Sequence, residues 1–191
     1  MLGFHFQQFE SNFGAGTGLI ALVGLPGSGK STVGRQLARR LQVAFVDSDH
    51  AIEAQIGLSI REYFEREGED RFRDMEEAVM DELTQEQKGV LATGGGTVLR
   101  TANRQRLRER TQVVYLSSSP DELFRRLRHD VNRPLLQVAD PQNRLRDLHA
   151  LRDPLYRQTA NFVIEAGRSS VAALVDVILM QLVLAGVMLP P

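Results

Sequence analysis

The residues Gly24-Leu25-Pro26-Gly27-Ser28-Gly29-Lys30-Ser31 follow the P-loop pattern G-x-x-x-x-G-K-[ST], a spacing with a direct chemical meaning. The glycines let successive backbone N–H groups converge on phosphate oxygens with no Cβ in the way. The start of a helix adds its positive end, and the lysine and hydroxyl reach the β/γ-phosphates and Mg²⁺. From residue frequencies, a chance match in a chain of this length is on the order of 1% or less. The segment therefore points to a nucleoside triphosphate site.

What such a site does must come from other residues. Asp47 and Asp49 follow a short apolar run. Two carboxylates one residue apart could serve a metal ion and take a proton from a hydroxyl nucleophile. Asp49 as a helix cap with a solvated Asp47 is the plainer alternative. Arg73 lies beside Phe72 with Glu76 and Glu77 at i+3 and i+4, a pattern equally suited to a solvated helix face. Thr93-Gly94-Gly95-Gly96 permits close backbone approach to a ligand, or forms a loose turn. Arg133 in a loop and Arg157 after Pro154-Leu155-Tyr156 could each be ordinary solvated charges.

These residues need elements to position them. Apolar runs at 19–23, 44–46, 90–92, 113–116 and 162–165 read as strands, each leading into a loop or helix. Helices are expected at 29–41, from the Ser59/Glu62 capping box to about residue 87 with a break near Gly68, and at 100–110. The second half of the broken helix carries a stripe at Phe72, Met75, Val79 and Leu83. Further helices start at a Ser119/Glu122 capping box with Pro120 at N1 and at Asp140-Pro141, and one closes the chain. Strands alternating with helices mean an α/β fold with a parallel sheet, in which ligands bind at the carboxyl ends of the strands.

Composition narrows the function classes. The 191 residues suit a single domain, expected over 18–191, and 42% hydrophobic with 25% charged residues excludes global disorder. A balance of 23 basic against 24 acidic side chains argues against a nucleic-acid partner. With no cysteine there is no disulfide scaffold, no structural zinc site of the cysteine type and no thiol nucleophile. Only Lys30 and Lys88 are lysines, against 21 arginines. The Phe-rich residues 1–17 lack the basic and apolar regions of a secretory signal and are expected to be a disordered leader. Residues 171–189 are apolar, but Asp176 within them would cost about 2.5–3.5 kcal/mol in membrane insertion. Val171, Leu174, Val175, Ile178 and Leu182 keep instead the spacing of a helix packed on a core, so no membrane partner is expected and the protein is read as cytoplasmic.

Taken in order, the P-loop, Asp47-Ser48-Asp49, Gly68-Glu-x-x-Phe72-Arg73-x-x-Glu76, Thr93-Gly94-Gly95-Gly96, Arg133-Pro134-Leu135-Leu136 and Arg152-x-Pro-Leu-Tyr-Arg157 closely resemble the shikimate kinases from about residue 19 to 184. The resemblance implies a three-layer P-loop kinase fold, with a five-stranded parallel sheet flanked by helices and a mobile lid at about 129–140. It implies transfer of the ATP γ-phosphoryl group to the 3-hydroxyl of shikimate, with Mg²⁺ as cofactor and a monomer as the working unit. On that resemblance Gly27, Ser28, Gly29, Lys30, Ser31 and Thr32 hold the ATP phosphates, Ser31 binds Mg²⁺, and Asp47 reaches it through water. Asp49 is the candidate base, Lys30 and Arg133 are catalytic cations, and Arg126 covers the adenine. Phe72, Arg73, Gly94, Gly95, Gly96 and Arg157 are the further shikimate residues, the two arginines clamping its carboxylate and Glu76 orienting them. Another small P-loop kinase, for gluconate or a nucleoside monophosphate, and a non-catalytic kinase-like module remain the alternatives.

Overall fold

The computed structural model describes residues 18–86, 88–127 and 140–187. The expected leader at 1–17, Arg133 and the expected lid apart from Asp140 lie outside the described residues.

β1 (Gly18–Val23) is buried on every residue, as a strand covered on both sides must be. It is the middle strand of a five-stranded sheet, with β2 (Phe45–Asp47), β3 (Lys88–Ala92), β4 (Gln112–Ser117) and β5 (Phe162–Glu165) in the order β2-β3-β1-β4-β5. Every pairing is parallel; Leu22 stands beside Ala92 on one side and Val114 on the other. Alternate residues of a strand face opposite ways, and β1 divides accordingly. Leu19, Ala21 and Val23 enter one core with Met80, Leu107, Leu123, Leu145 and Tyr156. Ile20 and Leu22 enter the other with Val33, Leu37, Val175, Ile178 and Leu182.

The helices match the expected positions with local differences. α1 (Lys30–Leu41) follows the P-loop directly. α2 (Ser48–Ile56) was not foreseen as an element; Asp47, not Asp49, is its N-cap, accepting from the Asp49 N–H at 3.1 Å. α3 (Ile60–Leu83) begins at the Ser59/Glu62 capping box and bends at Gly68, where φ is 82° and ψ 174°. α4 (Thr101–Arg110) follows a single 3₁₀ turn at Thr97–Leu99. α5 (Pro120–Leu127) carries the second expected capping box, with Ser119 N donating to Glu122 at 3.1 Å. α6 (Pro141–Thr159) is capped by Asp140 and contains Pro154. α7 (Val171–Leu184) buries Leu174, Val175, Ile178 and Leu182. No helix among the described residues is long and apolar enough to cross a membrane.

Parallel strands share one carboxyl edge. The loops after β1, β2 and β3 bring residues 24–29, 47–49 and 93–96 to that edge, where the candidate site forms.

Candidate active site

On the P-loop side, Gly29 takes φ 96° as the N-cap of α1, a left-handed conformation that only glycine adopts without strain. The next residue, Lys30, is buried and donates from Nζ to the carbonyls of Gly24 at 2.8 Å and Leu25 at 3.0 Å. An ammonium group is thus already held at the loop. Ser31 Oγ donates to Asp47 Oδ2 at 2.6 Å, joining the first turn of α1 to the end of β2. A hydroxyl and a carboxylate oxygen so placed would suit Mg²⁺, which keeps several waters and takes few protein ligands. No cluster of three or more His, Asp or Glu residues among the described residues offers a dedicated metal cage.

Asp49 sits between the phosphate side and the acceptor side. Burial raises its carboxyl pKa to about 6; the Asp47 charge and, more weakly, Glu76 and Glu53 add to the rise, while Lys30 opposes it. A Cβ placed on Gly94 would lie 2.6 Å from Asp49 Oδ1 and 3.0 Å from Glu76 Oε1. The bare glycine backbone therefore lets two carboxylates approach within a few ångströms of each other. Ser48, fully buried, accepts from the Gly94 N–H at 2.9 Å and ties the ends of β2 and β3 together.

On the acceptor side, Glu76 is buried and accepts from Arg73 Nη1 at 2.7 Å and from Thr97 Oγ1 at 2.9 Å. Arg73 also bonds Glu69 at 3.1 Å, and its guanidinium lies 5.2 Å from the Phe72 ring centroid and 5.8 Å from that of Phe64. A Cβ on Gly96 would fall on that guanidinium. Arg73 is thus fixed from three directions. Phe72, expected beside the substrate ring, is 3% exposed and packs on Phe64 at 4.4 Å within a cluster of Ile52 and Val79. Its ring supports Arg73 from the core side.

Arg157 is not brought to this cluster. It is half-exposed, its Nε donates to Asp153 Oδ2 at 2.8 Å, and its guanidinium lies 5.8 Å from the Tyr115 ring centroid. The second guanidinium at the glycine loop belongs to Arg152, whose Nη1 donates to the Gly95 carbonyl at 3.1 Å. Arg152 Nε is itself buried, with no hydrogen-bond partner among the described residues. Five residues on a helix turn through about 140° beyond one full turn, so Arg152 and Arg157 cannot serve the same face. Arg152 and Tyr156, four apart, do share one. Sequence reasoning passed over Arg152, although it opens the Arg152-x-Pro-Leu-Tyr-Arg157 segment.

Arg126 lies in the last turn of α5. Its guanidinium donates to the carbonyls of Ala166 and Gly167. Beside it lies an open cleft of about 350 Å³ lined by Glu122, Arg125, Arg126, Gly167, Arg168 and Ser169.

A phosphate-binding loop, an adjacent oxygen pair, a buried carboxylate of raised pKa and two converging guanidinium groups on a five-stranded parallel sheet define a P-loop kinase of the small-molecule class. The shikimate kinase family model matches residues 26–183. The chain is 62% identical over 174 residues to a shikimate kinase of Paracidovorax citrulli, covering 90% of this chain and 95% of that one. It is also similar to the structure of a shikimate kinase from Acinetobacter baumannii in complex with shikimate, at 47% identity and a TM-score of 0.83, over 88% of this chain and 93% of that one. A gluconokinase from Sinorhizobium meliloti, at 19% identity and a TM-score of 0.56 over 88% of this chain and 93% of its own, shares the fold alone. The chain belongs to the shikimate kinase family and is an ATP-dependent kinase.

Proposed function

We propose that the chain transfers the γ-phosphoryl group of ATP to the 3-hydroxyl of shikimate, a step of aromatic amino acid biosynthesis, and that the residues assembled above divide the work. The observation that carries this reading is the placement of Asp49 between the Lys30 loop and the Arg73–Glu76 pair. An acceptor held by its carboxylate at the arginines would present its ring hydroxyls toward Asp49.

Shikimate has one charged group, a planar carboxylate. A guanidinium fork binds a carboxylate bidentately, which an ammonium cannot do. Arg73, preset by Glu76, and Arg152, at Gly95, are the proposed clamp; Gly94, Gly95 and Gly96 leave the space in which the acid lies. Asp49 accepts the proton of the attacking hydroxyl. A base of pKa about 6 is ionised at neutral pH yet still basic enough to share a proton in the transition state. Gly27, Ser28, Gly29 and Thr32 are proposed to offer their backbone N–H groups to the phosphates, and Lys30 to transfer its ammonium from the loop carbonyls to phosphate oxygens. Ser31 and, through water, Asp47 would hold Mg²⁺, which when bound neutralises phosphate charge. Arg126 is proposed to cover the adenine beside the cleft at Gly167. By the sequence resemblance Arg133, in the expected lid, is assigned the charge over the transferred group. The same resemblance supports a monomer acting in the cytoplasm.

The test is an ADP-release assay at saturating Mg·ATP with shikimate, gluconate and AMP as separate acceptors. Turnover with shikimate alone is expected. Absence of turnover with shikimate, or faster turnover with either of the others, overturns the assignment.

A further inference from the structure

Behind the acceptor side runs a series of contacts that none of the proposed roles uses. Tyr156 is fully buried, and its hydroxyl donates to the Gly95 carbonyl at 2.5 Å, the same oxygen that accepts from Arg152 Nη1. Its ring stacks on Tyr115 of β4, with centroids 4.9 Å apart and planes inclined by 28°. The Tyr115 hydroxyl donates to Asp153 Oδ1 at 2.8 Å, and the other oxygen of Asp153 holds Arg157.

A phenylalanine would fill the Tyr156 space without a polar group to satisfy, so the buried hydroxyl demands a partner. That partner is the backbone of a triple-glycine loop, which has no side chains of its own to fix its peptide planes. The described peptide bonds are all trans and therefore planar, so fixing the Gly95 carbonyl fixes the Gly96 N–H on the opposite side, away from α6.

We propose that Tyr156 is a positioning residue for the acceptor's carboxylate. Its hydroxyl sets the Gly95–Gly96 peptide and, through the shared carbonyl, the Arg152 guanidinium, while Tyr115 and Asp153 hold its ring in register. This inference rests on the shikimate reading. It gives Arg157 a task as well, as the outer partner of Asp153.

Tyr156→Phe keeps the ring and its stack and removes only the hydroxyl. In the full-length enzyme, losing one hydrogen bond is expected to raise the KM for shikimate about three- to tenfold. The KM for ATP should change less than about twofold, and titration calorimetry should show the same loss in the shikimate Kd. Asp153→Asn, which leaves every aromatic ring in place, should shift the two KM values in the same sense by a smaller factor. Should Tyr156→Phe fail to fold, Asp153→Asn decides. A shikimate KM that does not move, or equal rises for both substrates, overturns the proposal. Failure of the shikimate reading itself would show separately, as a wild-type enzyme that neither binds nor phosphorylates shikimate.

Discussion

Replacing Asp49 with asparagine should make the substrate-free protein more stable at neutral pH while removing most of its activity. The Asp49 carboxyl titrates near 6 in the folded chain against 3.8 for an ordinary aspartate, chiefly because burial disfavours its charge. The folded state therefore holds this proton more tightly than the unfolded state. The contribution to stability is complete below about pH 4 and is lost as pH rises through 6. Two pKa units at about 1.4 kcal/mol each give an upper bound on the order of 3 kcal/mol for carrying the ionised group at pH 7.5. Asparagine has nearly the shape of the protonated acid and no charge to desolvate. Urea unfolding without nucleotide, at constant ionic strength, should show Asp49→Asn more stable than wild type by about 2–3 kcal/mol at pH 7.5. The difference should shrink to about 1 kcal/mol near pH 4.5 and toward zero below about pH 4. An equal difference at both pH values, or a variant less stable at pH 7.5, would refute the idea that burial of this charge is a cost carried for catalysis.

Four further outcomes follow from the same geometry. The kcat/KM for shikimate should fall tenfold per unit as pH drops below about 6, as the proposed base Asp49 protonates; a flat profile down to pH 5 would exclude it from that role. Arg73→Lys should raise the shikimate KM on the order of ten- to a hundredfold through loss of a bidentate charged contact, and the ATP KM less than about twofold. Arg152→Lys should behave like Arg73→Lys, while Arg157→Lys should raise the shikimate KM less than about threefold, because only Arg152 touches the Gly95 loop. If the two were reversed in steady-state kinetics, the placement of α6 at the site would be wrong. Ser31→Ala should raise the Mg²⁺ concentration needed for half-maximal rate, read by titrating the metal at fixed ATP; an unchanged midpoint would remove Ser31 as a ligand.

How far the chain could be read depended on whether a local signal or a packing decision settled each feature. The β1, P-loop and α1 unit was legible because an apolar run, a glycine spacing and a helical period all agree there. The bend at Gly68 and the capping boxes at Ser59 and Ser119 were likewise written in local residue types. α2 was not, since only nine residues form it and its apolar pattern is weak. The cap went to Asp47 because that side chain alone can meet both Ser31 and the Asp49 N–H. The choice between Arg152 and Arg157 depended on the phase of α6. Stacking of Tyr156 on Tyr115, a contact 41 residues apart in the chain, settles that phase, and the Tyr115 half of the pair lies far outside the segment that carries both arginines. The burial that raises the Asp49 pKa and withdraws Phe72 into the core is also a property of the assembled sheet edge, not of any segment.

The scarcity of lysine takes on meaning at the site. Lys30 places a compact ammonium on the carbonyls of the phosphate loop, while the acceptor side uses the planar guanidinium groups of Arg73 and Arg152. The outward-facing arginines of α3 and α4 instead pair with carboxylates, as in Arg61–Glu65 and Arg110–Asp81, where each contributes little to stability.

The most direct measurement of the central claim is the identity of the product. Phosphorus–proton correlation NMR of a reaction containing the chain, Mg·ATP and shikimate should show one new phosphate ester, coupled to the proton on carbon 3, growing in step with ADP. A phosphoryl group on another hydroxyl, or ADP formed with inorganic phosphate and no ester, would contradict the arrangement of Asp49 and the arginine clamp described above.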